Sequence, residues 1–456
     1  MDRVQSSLNM TDSNSQSATQ RMYLCIDLKS FFASVECADR GFDPMTTDLV
    51  VADPDRERGT ICLAVSPSLK AKGVKNRCRI FEIPSNLSYI QAPPRMQLYI
   101  DYSAEIYGIY LKYISKDDIH VYSIDEAFLD VTTYLTMYGL SARELALKIM
   151  KDIKDTLGIT ATCGIGTNLY LCKIALDITA KHSKDFIGYL DEETYQRTLW
   201  RHRPLTDFWR IGPGIARRLE SVGMFTMEDV AKGDEKLLYK LMGVDAEYLI
   251  DHAWGREPCT IAEIKSFKAR SNCLSSGQVL MREYSYEEAR TIVKEMVDLL
   301  CLELVDQGLV TNNISLHIGH SISALNLPKN ASSKLTDREI LKQTPFTGGA
   351  MTIPVTTNSV RILTKYFEEI YDTKVDPSLP IKRVTISFGN VVDEGYEQYD
   401  LFTDPAEPEK DRKAQQAVLD IKKKFGKNAI VKGMDLVDHA TTMDRNRQIG
   451  GHKSGI

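Results

Sequence analysis

Asp125 and Glu126 stand side by side in the run Tyr122-Ser-Ile-Asp-Glu-Ala-Phe-Leu-Asp130, between apolar flanks with the composition of strands. Two carboxylates buried there are costly without a partner, and a divalent cation with its preference for oxygen ligands is the simplest one. A third carboxylate, Asp27, closes the short apolar run Met22-Tyr-Leu-Cys-Ile-Asp27 far upstream. Taken alone, Asp27 reads equally as an acidic residue assisting a helix N-terminus. Neighbouring residues of a straight strand point to opposite faces. Asp125 and Glu126 can therefore share a site only at a turn or a distorted hairpin tip.

These side chains need elements to hold them. Residues 22–27 read as a buried strand, and 29–38 as a helix with Phe31, Phe32, Val35 and Cys37 as its apolar residues. Residues 48–53 and 60–65 form a strand pair around the turn-prone Pro54-Asp-Arg-Glu-Arg-Gly59. An amphipathic helix spans 94–114, with Met96, Ile100, Ile106, Ile109 and Tyr110 on its apolar positions. Then follow strand, turn and strand over 119–132, a helix over 142–157 ended by Gly158, a strand over 160–166 and a helix over 169–181. This alternation predicts an α+β fold with an antiparallel sheet.

A chain of 456 residues exceeds one ordinary core and implies several domains. Residues 1–21 are polar, lack the apolar core of a signal peptide and read as a disordered extension. No apolar run reaches about 18 residues, the length that would span a membrane. These features point to a cytoplasmic protein. The 9 cysteines are scattered without a C-x-x-C pair, which disfavours zinc ribbons and a disulfide framework.

The net charge of −5 argues against a generic polyanion binder, but cations are concentrated locally. Lys70-Ala-Lys-Gly-Val-Lys-Asn-Arg-Cys-Arg79 contains no acid, Arg197 to Arg218 form a second cluster, and Lys422, Lys423, Lys424 and Lys427 a third. Each can grip a phosphate backbone or be merely a solvated face. The helical region 188–262 centres on Phe208-Trp-Arg-Ile-Gly-Pro-Gly-Ile-Ala-Arg-Arg-Leu219. Gly212 and Gly214 bracket Pro213 before an amphipathic helix, the helix-hairpin-helix pattern in which backbone N–H groups approach a phosphate. The alternative is a plain interhelical turn; Arg217 and Arg218 favour DNA. Residues 263–272 read as a linker, and 273–394 as a second, smaller α+β domain. The remainder, 395–456, is a tail with a charged helix at 410–425 and a disordered end from 443.

With these motifs in hand, the chain resembles the Y-family translesion DNA polymerases, in the UmuC-like branch of Gram-positive bacteria and their mobile elements. The resemblance rests on Ile26-Asp27-Leu28-Lys29-Ser-Phe-Phe-Ala-Ser-Val-Glu36, Ser123-Ile-Asp-Glu-Ala-Phe-Leu-Asp130, Gly164-Ile-Gly-Thr-Asn168 with Lys173 and Lys181, and Gly212-Pro-Gly214. It implies a right-hand architecture: palm and fingers over 22–187 (fingers about 40–95), thumb over 188–262 and little finger over 273–394. It implies template-directed, error-prone synthesis on primer-template DNA from deoxynucleoside triphosphates, as part of the damage response.

By the same resemblance Asp27, Asp125 and Glu126 are the catalytic carboxylates. With the Leu28 carbonyl they hold two Mg2+ ions, for which Mn2+ can substitute. Phe32 matches the steric gate that excludes ribose. Phe31 packs beside it, and Phe31, Lys70 and Lys181 line the nucleotide site. Lys181 follows Lys173 one residue later than in some relatives, and Pro67 stands where many carry a Tyr. Gly212, Gly214, Arg217 and Arg218 contact DNA. Gln398-Tyr-Asp-Leu401-Phe402 resembles the motif that docks on the bacterial sliding clamp, and RecA and a UmuD-like protein are further candidate partners. Two rivals stand against this: a non-catalytic DNA-binding damage-response protein that keeps the fold, and a nucleotidyl cyclase. The complete set of carboxylates speaks against the first, and the thumb hairpin with its basic patches against the second.

Overall fold

The computed structural model describes residues 20–55, 60–268, 272–321, 345–396 and 406–455. They form two compact units, one running to Phe267 and the other from Lys268 to Ser454. Both combine helices and sheets, so the fold is α+β.

The first unit is built on a five-stranded sheet. In chain order its strands are β1 (Tyr23–Leu28), β5 (Ile119–Val121), β6 (Glu126–Asp130), β7 (Ala161–Gly166) and β8 (Ile187–Leu190), interrupted by three short strands described below. The order is β5-β6-β1-β7-β8, with β1 in the middle and antiparallel to both neighbours. Tyr23 to Ile26 are accordingly fully buried. The sheet is not wholly antiparallel as its alternation suggested: β8 runs parallel to β7. The helical crossover after β7 returns the chain to the same end of the sheet, which only a parallel strand can then follow. β8 also carries the sheet past the boundary expected at residue 187.

One face of this sheet is covered by the helices Met96–Leu111 and Ala142–Leu157, through Ile106, Ile109, Leu145, Ile149 and Ile153. The second helix opens with a Ser141–Glu144 capping box and stops at Gly158, which takes the left-handed conformation. On the other face the helix Leu169–Ile174 lies very close to β7. A Cβ on Gly164 would sit 1.9 Å from the Cys172 carbonyl oxygen, and one on Gly166 would sit 2.2 Å from the Cys172 nitrogen. Glycine is required at both positions for helix backbone to lie on strand backbone.

A small sheet of β2 (Leu49–Val51), β3 (Ala64–Val65) and β4 (Ile90–Ala92) has its own core of Val50, Cys62, Val65, Leu69 and Val74. Short helices from Glu192 to Trp254 pack around Tyr195, Phe208, Leu219, Met227 and Leu238. The stretch read as a linker is partly structured. Ile261–Ser266 is a helix with a Thr260–Glu263 capping box, and Ile261 is buried against Tyr23, Cys25 and Phe128.

In the second unit β9 (Leu274–Tyr284), β10 (Leu309–His320), β11 (Phe346–Thr357) and β12 (Ile381–Gly389) form an antiparallel sheet ordered β11-β10-β12-β9. The helices Tyr286–Gln307 and Val360–Lys374 cover the face bearing Ile314, Leu316, Val384, Ile386 and Phe388. The opposite face aligns small and polar residues: Ser275, Ser387 and Ser315 in one row, Gly277, Thr385 and His317 in the next. The tail expected to be disordered beyond 443 is folded. The helix Ala406–Phe425 places Val418 and Leu419 on Leu302 and Val305, and a two-stranded hairpin of Gln448–Ile449 with His452–Lys453 follows. The buried Glu295 carboxylate holds this segment by accepting the backbone N–H groups of Thr441 at 3.0 Å and Thr442 at 3.2 Å.

Candidate active site

Backbone register assembles the three carboxylates. Asp27 lies directly opposite Glu126 in the β1–β6 ladder, and the Leu28 N–H donates to the Asp125 carbonyl at 3.0 Å. The β5–β6 connection is tight: the N–H groups of Tyr122 and Ser123 both donate to the Glu126 carbonyl, at 2.9 and 3.1 Å. Asp125 thus belongs to the turn and Glu126 to the first position of the strand, which satisfies the hairpin-tip condition that the adjacent pair demands. The Ser123 hydroxyl donates to Asp125 at 2.6 Å. Asp27 is not a helix cap. The next helix, Phe31–Asp39, begins after Ser30, and no side chain caps it.

The concentration of charge has an energetic signature. Burial, then the charges of Asp125 and Glu126, push the Asp27 carboxyl up to about 7, with Lys173 opposing the shift. An all-oxygen set that resists its own ionisation suits a hard divalent cation. Among the described residues no three His, Cys, Asp or Glu side chains converge as metal ligands. The Glu126 carboxylate is engaged elsewhere: the Lys173 ammonium lies 2.8 Å from one oxygen and 2.9 Å from the other, and the Cys25 thiol donates at 3.2 Å.

Phe32 is half-buried, and its ring stacks on Tyr99 with centroids 4.5 Å apart and planes 17° from parallel. Tyr99 is fixed in turn. Its hydroxyl donates to Glu36 at 2.7 Å and accepts the Arg95 N–H at 3.2 Å. Glu36, with no exposed side-chain surface, also takes the Arg95 guanidinium at 2.7 and 3.1 Å and the Arg40 guanidinium. Phe31, expected among the nucleotide contacts, is 2% exposed and belongs to the hydrophobic core, so its ring has no face left for a nucleotide.

Lys70, on the helix Pro67–Ala71, donates to the Ser30 hydroxyl at 2.8 Å, at the junction of β1 and the Phe31 helix. Burial lowers its pKa, and it senses the charges of Asp27, Lys29 and Lys181. Lys70 is thus brought within electrostatic reach of the first carboxylate, and of Lys181, which is distant in sequence. The longer spacing to Lys181 has a local cause. After the helix Leu169–Ile174 the chain makes a π-helical turn over Ala175–Thr179, which takes up one extra residue, before Lys181 in the 3-10 turn Ala180–His182.

Farther along, Gly212 caps the helix Pro213–Glu220 with Pro213 in its first turn. Among the described residues no atom beyond the chain neighbours lies within 4 Å of where a Cβ would sit on Gly212 or Gly214, so no packing contact there requires their smallness. Arg217 and Arg218 are exposed and donate to the carbonyls of Pro213 and Leu241. Gln398, Leu401 and Phe402 lie outside the described residues. Sequence reasoning gave no site role to Lys173 or Tyr99. A lysine in the apolar stretch Leu169-Tyr-Leu-Cys-Lys-Ile174 was the available signal, because a charge in such a run needs a buried partner.

Comparison with known proteins agrees with this geometry. The impB/mucB/samB family matches residues 26–177, and the C-terminal domain of the same family matches 274–401. The putative UV-damage repair protein UvrX of Bacillus subtilis (strain 168) is 30% identical over 94% of this chain and 97% of its own length. DNA polymerase IV 2 of the same organism is 27% identical over 95% and 99%. Among solved structures, the Y-family DNA polymerase chimera Dbh-Dpo4(243-245)-Dbh aligns with a TM-score of 0.60 at 20% identity, covering 82% of this chain and 99% of its own, a likeness of fold. The chain belongs to the UmuC-like Y-family DNA polymerases. It is a DNA-directed DNA polymerase of translesion synthesis in the DNA damage response, and membership implies use of a divalent metal. No helix among the described residues is long and apolar enough to cross a membrane.

Proposed function

We propose that Asp27, Asp125 and Glu126 are the metal-binding carboxylates of error-prone nucleotidyl transfer and that the preferred cofactor is a pair of Mg2+ ions. When bound, such ions stabilise the attacking 3′-oxygen and the leaving pyrophosphate together. Asp27, Asp125, Glu126 and the Leu28 carbonyl would hold these ions, with Asp27 and Asp125 shared between them and Glu126 given to the catalytic one. The observation that carries this reading is the register of Asp27 opposite Glu126 with Asp125 in the adjoining turn, together with the raised Asp27 carboxyl. Lys70 and Lys181 hold the triphosphate. Phe32, backed by Tyr99, closes the space that a 2′-hydroxyl would need.

In this reading the first unit supplies palm, small fingers and thumb, with Gly212, Gly214, Arg217 and Arg218 on the DNA backbone. The second unit is the little finger, and its row of small and polar residues, Ser275, Ser387, Ser315 and neighbours, suits close approach of a phosphate backbone. The segment with Gln398, Leu401 and Phe402 recruits the sliding clamp, RecA and a UmuD-like protein are the candidate regulators, and the compartment is the cytoplasm. Primer extension past an abasic site by the wild type and by Asp125→Ala tests the central assignment. Loss of extension with primer-template binding retained is expected, and extension by the variant removes Asp125 from the site. Adding the clamp to the same assay, with Leu401 and Phe402 replaced by Ala as control, tests the recruitment motif.

A further inference from the structure

The second cation-relevant feature of the site is not a ligand. Lys173 is a buried lysine whose ammonium spans both oxygens of Glu126, at 2.8 and 2.9 Å, and also reaches Asp177 at 3.1 Å. Two carboxylates therefore compete for one ammonium. They are not equivalent. The Glu126 side chain is 9% exposed and lies among the site's other negative charges, whereas the Asp177 side chain is 29% exposed. The helix bearing Lys173 cannot drift, because its backbone rests on Gly164 and Gly166 at distances that admit no Cβ. Side-chain torsions are then the main freedom left to Lys173, whose ammonium already lies within 3.1 Å of both carboxylates. Asp177 itself sits within the π-helical turn Ala175–Thr179.

We propose that Lys173 is a displaceable counter-ion of the metal site. Without metal it neutralises Glu126 and draws that carboxylate out of a ligand shell. When a divalent ion takes Glu126, the ammonium retires to Asp177, which keeps it paired. Lys173 and Asp177 are positioning residues, since they act through Glu126. The proposal rests on the assignment of Glu126 as a metal ligand. It accounts for the pairing of Glu126 with a buried lysine inside a cluster of carboxylates. No bond is made or broken; two ion pairs are exchanged.

The test is Mn2+ binding, followed by the electron paramagnetic resonance of the free ion. The full chain is titrated in complex with a dideoxy-terminated primer-template and a deoxynucleoside triphosphate. Lys173→Met removes the competitor and should tighten Mn2+ binding about fivefold or more, while Asp177→Asn strands the ammonium on Glu126 and should weaken it by a similar factor. In the double variant the Asp177 substitution should change affinity by less than about twofold, because there is no ammonium left to receive. Additive effects would reduce both residues to background charges and overturn the proposal. Weaker binding by Lys173→Met would make the lysine a scaffold for Glu126 and overturn it as well. If the Met variant fails to fold, Lys173→Gln serves in its place. Glu126→Gln separates the two layers of the argument. Unchanged Mn2+ affinity in that variant removes Glu126 as a ligand, whereas weakened affinity with additive Lys173 and Asp177 effects removes only the exchange.

Discussion

Two buried glutamates in the first unit, Glu36 and Glu126, meet opposite solutions to the same cost. Glu36 is saturated by fixed donors: two guanidiniums and the Tyr99 hydroxyl. Burial alone would push its carboxyl up, but Arg95, Arg40 and Tyr99 together hold it below its ordinary value. Glu126 has one lysine, shared with Asp177, and one thiol. It also faces Asp27 across the ladder, where negative charges crowd. Planar, bidentate guanidiniums make a permanent tie, while a compact ammonium on a flexible stem is easily exchanged. In the proposed reading, the difference separates a carboxylate that holds the fold from one kept available for a cation.

The largest effect should come from breaking the available one. Glu126→Gln is expected to lower primer extension by roughly a thousandfold, a loss typical of removing charge stabilisation from phosphoryl transfer. Its unfolding free energy in urea should change by no more than about 1 kcal/mol, because Lys173 retains Asp177 and the crowding around Asp27 is relieved. Glu36→Gln should do the reverse. Removing one partner of a buried, hydrogen-bonded ion pair costs about 3 kcal/mol, and the folded fraction should keep its extension rate within roughly an order of magnitude. If both variants lose activity and stability together, the division between the two carboxylates fails.

Acid sharpens the same contrast. A carboxyl held below its usual range in the folded state contributes stability that is present above the unfolded value and lost as pH falls through the folded one. The gap in melting temperature between wild type and Glu36→Gln should therefore be widest near neutrality and shrink below about pH 4.5, the ordinary glutamate range. A gap that stays constant across that range would mean that Glu36 acts by packing rather than by charge.

How much of this was legible in the sequence follows from the range of the interactions. Local signals carried far. Gly158 ended the helix read over 142–157, and the adjacency of Asp125 and Glu126 already demanded a turn. The helix Ile261–Ser266 had a local mark too, the Thr260–Glu263 box, but six residues in a polar stretch left little periodicity. β11 leaves no clear strand signal in the sequence, because Gly348, Gly349 and Pro354 interrupt it, and neighbouring β10 supplies the order instead. The folded tail depends on Glu295 meeting Thr441, 146 residues away, and the Glu126–Lys173 pair bridges 47. No local pattern carries such pairings. The same holds for Phe31, whose two-aromatic motif does not say which ring faces the core.

The finest cut falls on Tyr99, which joins the saturated carboxylate to Phe32, the proposed gate. Its hydroxyl is one of the Glu36 donors and its ring is the surface on which Phe32 stacks. Tyr99→Phe keeps the ring and deletes the hydroxyl. Losing one hydrogen bond to a buried carboxylate should cost about 1 to 2 kcal/mol in urea unfolding, less than Glu36→Gln because both arginines remain. Sugar selectivity should barely move, since the stacked face is intact. Tyr99→Leu removes the face as well, and ribonucleotide insertion in a primer-extension assay should then rise toward the level of Phe32→Ala. Equal selectivity in the Phe and Leu variants would show that Phe32 stands without its backing ring, and would confine Tyr99 to the structural half of the comparison.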